Sequence, residues 1–251
     1  MKMKIDHRHN FGIMLDTETA NTLIDENGKL DMTSVLAYDL GGVVTDTKGR
    51  VYERFSFVNS DIFYDEAELM KSAYYAKKIP KYKEDIANGT RKVVNTYEMK
   101  KYICDLIEKY SCTWVAAHNA RFDYNALNKT QRWVTKSKYR YFLPYGIEVW
   151  DTMKMAKDVI GNMPTYRKFC EENNFLTKTG RLSMTAENLY RFISKDVDFI
   201  ESHTGLEDVE IELEILKYCF RQHKKMRKKT LGKLKKGVDK TPPIVYNKYI
   251  R

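Results

Sequence analysis

The stretch "FGIMLDTETA", residues 11–20, decides the fold. Five largely apolar residues read as a buried strand and run straight into two carboxylates one position apart, Asp16 and Glu18. In a strand, residues i and i+2 face the same way, so both carboxylates look to one side of a sheet while Thr17 looks to the other. Two acids so placed repel, and desolvating either is costly unless a cation compensates. Hard divalent ions bound through oxygen, Mg²⁺ or Mn²⁺, are the natural partners. A pair of solvated acids after the strand is the blander alternative.

Working outward, "DENGK" (25–29) reads as a tight turn. Asp25, Asn27 and Asp31 lack the closing glutamate of a calcium loop. "SVLAYDLGGVV" (34–44) and "VYERFSFV" (51–58) read as two further strands joined by the turn "TDTKGR", which makes a β-meander. From about Asp65 to Tyr110 the pattern is helical, broken near Pro80 and Gly89. Within it Met99, Tyr102, Ile103, Leu106 and Ile107 fall at helical spacing.

"CTWVAAH" (112–118) is a short apolar strand, and residues 122–142 read as a helix with a basic, aromatic-bearing face. A strand at "GIEVW" and a helix at "DTMKMAKDV" follow. "LTKTGRLS" reads as a hairpin or loop, and Thr185 as an N-cap for "AENLYRFI". In "GLEDVEIELEILKYCFRQH" (205–223), Leu206, Val209, Leu213, Leu216 and Phe220 line one helical stripe. A meander followed by helices alternating with single strands predicts an α/β fold with a mixed sheet flanked by helices.

The net charge of +10 is unevenly placed. From Arg221 onward there are twelve Lys or Arg and one acid, Asp239, so the end carries +11 and residues 1–220 carry −1. Such a tail meets polyanions or simply stays solvated. It has no amphipathic stripe with aromatic anchors, which argues against a membrane surface, and no apolar run is long enough to span a bilayer. Cys104, Cys112, Cys170 and Cys219 lack CxxC spacing, which argues against zinc and against a disulfide framework. With no signal-type apolar segment in "MKMKIDHRHN", the expected location is a reducing cytoplasm.

Two further motifs carry chemistry. "VAAHNARFDYNAL" (115–127) runs from strand through a polar turn into a helix and places Asp123 in its first turn, where an acid is favoured in any case. His118 and Asn119 could simply tie down that turn. "ESHTGLEDVEIE" (201–212) places His203 just before a helix and Asp208 one turn into it. Each residue alone is well explained as an ordinary loop or cap. Together they give acids and a histidine at strand ends and helix starts, which can converge on one edge of a mixed sheet.

The order D-x-E-T, then H-N-x-x-F-D, then H-x4-D resembles the DEDDh 3′→5′ exonucleases of the ribonuclease H-like superfamily, over about residues 8–222. The low-glycine chain rich in Lys, Asn and Tyr also resembles phage-encoded members, which would place it in a host cytoplasm. The resemblance implies a ribonuclease H-like mixed central sheet, a β-meander plus parallel strands flanked by helices. It implies an exonuclease domain over 1–223 with a basic tail over 224–251.

It further implies that Asp16, Glu18 and Asp208 hold the ion that activates the attacking water, and that Asp16 bridges to a second ion supported by Asp123. Paired ions of this kind, Mg²⁺ or Mn²⁺, lie about 3.5–4 Å apart. His203 would take the proton from the attacking water, for which an unperturbed pKa near 6.5 is suited. The expected reaction is hydrolysis at the 3′ end of single-stranded DNA, or less favourably RNA, releasing nucleoside 5′-monophosphates.

Thr19 and Asn119 are the candidates for positioning substrate or the active-site turn. Arg132, Lys136, Lys138 and Arg140, interleaved with Trp133, Tyr139 and Tyr141, could track phosphates, although core aromatics and a solvated basic face are the stronger reading. Many relatives read Thr-Thr-Gly after the acidic pair where this chain reads Thr19-Ala20-Asn21, and the Lys- and Tyr-rich segment 60–95 matches no family feature. The alternative function is a catalytically inactive nucleic-acid-binding protein, or an adaptor whose tail docks on a replication or repair protein.

Overall fold

The computed structural model describes residues 9–24, 30–31, 34–137 and 140–235. The expected turn at 25–29, Lys138, Tyr139 and the tail beyond 235 lie outside them. The strands are β1 (Phe11–Ala20), β2 (Leu23–Ile24), β3 (Leu30–Asp31), β4 (Leu36–Asp46), β5 (Val51–Asn59), β6 (Lys92–Val94), β7 (Trp114–Ala117), β8 (Glu148–Asp151) and β9 (Lys229–Leu231). The helices are α1 (Ser60–Phe63), α2 (Ala67–Met70), α3 (Ile79–Ala87), α4 (Thr96–Tyr110), α5 (Arg121–Thr135), α6 (Thr152–Val159), α7 (Pro164–Glu172), α8 (Ala186–Ser194) and α9 (Gly205–Arg221).

Apart from the separate β2–β3 pair, the strands form a seven-stranded sheet in the order β6-β5-β4-β1-β7-β8-β9. β1 pairs antiparallel with β4 and β4 with β5, while β1–β7, β7–β8 and β5–β6 are parallel. This is the expected mixed α/β sheet of ribonuclease H-like form, a meander continued by parallel strands and flanked by helices. No helix among the described residues is long and apolar enough to cross a membrane.

The alternation of β1 assigns the two faces of the sheet. Phe11, Ile13 and Leu15 join Met99, Ile103 and Leu106 of α4 and Leu127 of α5 in one core. Met14 joins Trp114, Trp150 and the inner faces of α6, α7, α8 and α9 in a second core, where the two indoles stack at 4.5 Å. A third cluster gathers Ala20, Tyr38, Ile62, Tyr82 and Trp133 where β1 ends.

Several local expectations change in the folded chain. Pro80 starts α3 instead of breaking a helix, because at the first helical positions its missing N–H costs nothing. The helix expected over 122–142 stops at Thr135, where Lys136 turns left-handed. Arg132 is buried and lies over the Tyr141 ring, and the Trp133 indole donates to Glu66, so these two belong to the packing, while Lys136 and Arg140 are exposed. Thr185 caps α8 as expected, accepting from the Asn188 N–H.

Chain past residue 223 also enters the sheet. Lys229–Leu231 add an edge strand beside β8, held by Arg227 on Asp158 and Lys229 on Glu148.

Candidate active site

The site forms at the carboxyl ends of the parallel strands, where open α/β sheets generally bind ligands. β1 delivers Asp16 and Glu18 to the face that carries α9. A bulge between Glu18 and Thr19 interrupts the ladder with β4, which resumes at Thr19 and Ala20. Helix α9 crosses that face at unusually short range because both contact residues are glycines. A Cβ on Gly41 would stand 2.0 Å from the Leu206 nitrogen, and one on Gly205 would stand 2.7 Å from the Gly41 nitrogen. Neither site tolerates a side chain, and the approach brings Asp208, one turn into α9, over the β1 acids.

Asp16, Glu18 and Asp208 each present a carboxylate oxygen within 4.8 Å of the others. Asp208 and Glu18 are buried and Asp16 is half-buried. Asp208 is oriented by the Ser202 hydroxyl and the His203 N–H, which donate to its Oδ1 at 3.1 and 3.2 Å.

Asp123 arrives from the other face. The β1–β7 ladder ends at Met14 and Ala116, and beyond it the Thr17 N–H and hydroxyl donate to Asp123 Oδ1 at 3.2 and 2.9 Å. Asp123 therefore stands beside the three-oxygen cluster and acts on it electrostatically. Glu212, one turn beyond Asp208 on α9, is the acid that the sequence reading missed. It is buried, accepts the His118 N–H at 3.1 Å and is the strongest charge acting on Asp16. Its spacing of four from Asp208, on one helix face, was the available signal.

Burial shifts all of these carboxyls upward, reinforced by neighbouring acids at Asp16, Glu18, Asp208 and Glu212 and opposed by the Thr17 hydrogen bonds at Asp123. Glu18 is pushed up to about 9, Asp208 to about 8 and Asp123 to about 7, while Asp16 and Glu212 stand well above the ordinary carboxyl range. Glu201, at the mouth, rises to about 7, mainly through burial. Among the described residues the side-chain charges that bear most on the cluster are all negative. Oxygen donors at this spacing with no protein cation fit a hard divalent ion such as Mg²⁺ or Mn²⁺.

His203 sits in the loop before α9 with a left-handed backbone, φ 53°. Its ring is stacked on Tyr75 at 4.3 Å and 12°, and its Nδ1 lies 3.9 Å from Glu201. Desolvation holds its pKa below the usual value, opposed by Glu187 and assisted by Lys78 and Lys77.

The other candidates have structural work. His118 is half-buried, with Nδ1 on the Thr152 hydroxyl at 3.0 Å and Nε2 on the Met184 carbonyl at 2.7 Å. Asn119 takes a left-handed turn, φ 63°, and its N–H donates to Asp151, the cap of α6. Thr19 is buried at the bulge. Asn21, where the resembling family carries glycine, is left-handed at φ 57°, a conformation asparagine tolerates better than most residues.

The unmatched segment 60–95 closes one side of the site. Tyr82 and Arg91, both from this segment, converge on Asp39, the β4 partner of Glu18. Asp39 accepts the Tyr82 hydroxyl at 2.6 Å and the Gly205 N–H at 2.9 Å. Arg91, 2 % exposed, pairs with Asp39 at 3.4 Å, Asp85 at 3.1 Å and Glu207 at 2.7 Å. This network fixes the start of α9.

No family model and no curated protein matches the chain. Solved structures that it resembles include E. coli exonuclease I in complex with a 5cy-dT13 oligonucleotide. The identity is 13 % and the TM-score 0.48, covering 86 % of this chain and 41 % of that one. The zinc-bound form of the E. coli exonuclease I–ssDNA complex gives 14 % and 0.46, with 86 % and 42 % covered. Exonuclease X in complex with 5′ overhanging duplex DNA gives 15 % and 0.38, covering 84 % of this chain and 92 % of that one. The chain thus spans about two-fifths of the exonuclease I chains. All three scores lie below 0.5, so the functional reading rests on the site itself.

Proposed function

We propose that this protein is a divalent-metal-dependent 3′→5′ exonuclease acting on single-stranded nucleic acid, DNA in preference to RNA, and releasing nucleoside 5′-monophosphates. The observation that carries the proposal is the cluster of Asp16, Glu18 and Asp208, whose oxygens lie within 4.8 Å of one another. These residues would hold two Mg²⁺ or Mn²⁺ ions, with Asp123 and Glu212 supporting. When bound, the ions supply charge stabilisation at phosphorus and acidify the attacking water.

The protein's own groups do the rest. His203, kept neutral near pH 7 by its lowered pKa, takes the proton of the attacking water. Its Nδ1 lies toward Glu201, which leaves Nε2 to accept the proton and gives the resulting imidazolium an acidic neighbour. Asp208, fixed by the His203 N–H, ties the base and the ligand cluster to one loop. Thr19 at the bulge and Asn119 in the β7–α5 turn would help position a terminal nucleotide. The basic tail would add salt-dependent affinity for the strand or dock a replication protein.

The test is digestion of matched 3′- and 5′-end-labelled DNA and RNA oligonucleotides with Mg²⁺, Mn²⁺ or chelator, beside Asp16→Ala and His203→Ala. Metal-dependent, stepwise loss from the 3′ end, absent in both variants, is the expected result. Tight binding without cleavage under any metal would replace the enzyme with a binding protein.

A further inference from the structure

We infer that Tyr75 is a positioning residue for the His203 imidazole, holding the ring by stacking on it from a segment anchored to the end of β1. The inference rests on the proposed role of His203 as the base.

The first ground is the contact. The rings of Tyr75 and His203 are nearly parallel, 12° apart, with centroids at 4.3 Å. Aromatic pairs at such separations gain specific energy beyond their buried area. The second ground is the loop that carries His203. Its left-handed backbone is unfavourable for a residue with a Cβ and persists only where surrounding contacts over-determine it. The His203 N–H on Asp208 fixes the backbone, and the side chain is held by the Tyr75 ring, with Glu201 at 3.9 Å from its Nδ1. Without the ring, the imidazole would keep only the longer approach to Glu201 against a change of rotamer.

The third ground is what Tyr75 is mounted on. Just past the acid pair, the Asn21 N–H donates to the Leu69 carbonyl at 3.3 Å and the Thr22 N–H to the Ser72 carbonyl at 3.1 Å. The chain then passes buried Ala73 and enters a tight turn in which the Lys78 N–H returns to the Tyr75 carbonyl at 2.8 Å. Tyr74 packs edge-on against Tyr75 at 4.8 Å. Tyr75 is therefore fixed relative to Asp16 and Glu18 by a short run of hydrogen-bonded backbone, and His203 takes its place from that reference. The phenol itself stays protonated, since burial and then the charges of Glu18, Tyr74, Glu201 and Asp208 hold its pKa above the ordinary value.

The experiment compares wild type with Tyr75→Phe, Tyr75→Leu and His203→Ala, in the full chain, by single-turnover and steady-state digestion and by NMR of the histidine ring protons. The His203 ring proton should show an upfield ring-current displacement that survives in Tyr75→Phe and vanishes in Tyr75→Leu. The turnover number of Tyr75→Leu should fall about tenfold or more with KM little changed, and Tyr75→Phe should stay within about twofold of wild type. A thermal midpoint for Tyr75→Leu near that of wild type separates positioning from unfolding.

An active wild type whose turnover survives Tyr75→Leu while the ring-current displacement is lost overturns the positioning role alone. An equal loss in Tyr75→Phe overturns it too, because the ring is kept there. A wild type that cleaves no oligonucleotide overturns the nuclease reading, and the positioning role with it.

Discussion

Two clusters of buried or half-buried acids lie side by side across β1 and β4, and they solve the same electrostatic problem differently. Asp39 and Asp85 share the guanidinium of Arg91, which also reaches Glu207 and lies over the Tyr82 ring at 4.9 Å. Next to them Asp16, Glu18, Asp208 and Glu212 share nothing positive among the described residues. Glu18 and Asp39 even face each other in the strand register. The arginine compensates the first group, and the second, with no ion pair among the described residues, is where the proposed cations would sit. The compensated cluster is architecture, and the bare one is the candidate for chemistry.

The sharpest way to break the contrast is to remove Asp16. Asp16→Asn should lower nuclease activity by about 10⁴-fold, equivalent to roughly 5 kcal/mol of barrier, as read by end-labelled oligonucleotide digestion. The metal-free fold should be more heat-resistant than wild type, since repulsion is relieved.

Removing the in-chain cation does the opposite. Arg91→Met strands Asp39 and Asp85 without a partner and should cost about 3 kcal/mol or more in a denaturant melt, because breaking a buried pair leaves an uncompensated charge. Mg²⁺ should not restore that loss.

Gly41→Ala attacks the geometry that joins the clusters. Its Cβ would meet the Leu206 nitrogen at 2.0 Å, so α9 must move. About 1–3 kcal/mol of stability should be lost, with activity falling further than stability explains. The smallest effect belongs to Glu212→Gln, which keeps the shape of the α9 face. Divalent affinity measured by calorimetry should weaken about tenfold, the scale of groups that support metal ligands.

The pH response carries the same contrast. The carboxyls of the bare cluster are raised in the fold, so the native metal-free protein binds more protons than the unfolded chain. Their contribution is intact below the unfolded value near 4 and is lost as pH rises through about 7 to 9. The metal-free thermal midpoint should therefore fall over that window, and saturating Mg²⁺ or Mn²⁺ should flatten the fall. A midpoint that rises over the same window without metal would contradict the raised values.

How much of this was legible in the sequence depends on how local each signal is. β1 could be read because one strand carries both its apolar face and its acid pair within ten residues. Asp123, His203 and Asp208 could be read because each sits at a helix start with turn residues around it. Glu212 was hidden by its surroundings, one more acid in a helix with Glu207, Glu210 and Glu214.

The roles of Tyr75 and Arg91 were beyond reach for a different reason. The helices around them are short and carry little periodicity, and their partners lie far away in sequence, at 203 for one and at 39 and 207 for the other. Strand β9 escaped because a lysine-rich edge shows no apolar alternation, and its existence depends on the ladder offered by β8.

The central claim is that the bare cluster takes up divalent cations in place of protons. It is tested most directly by titrating Mn²⁺ into chelator-treated protein at pH 7 in buffers of different ionisation enthalpy, with Asp16→Ala in parallel. The account predicts saturable binding accompanied by proton release, since carboxyls held protonated must ionise to bind, and both signals should disappear in the variant. Binding without proton release, or binding of equal strength in Asp16→Ala, would contradict it.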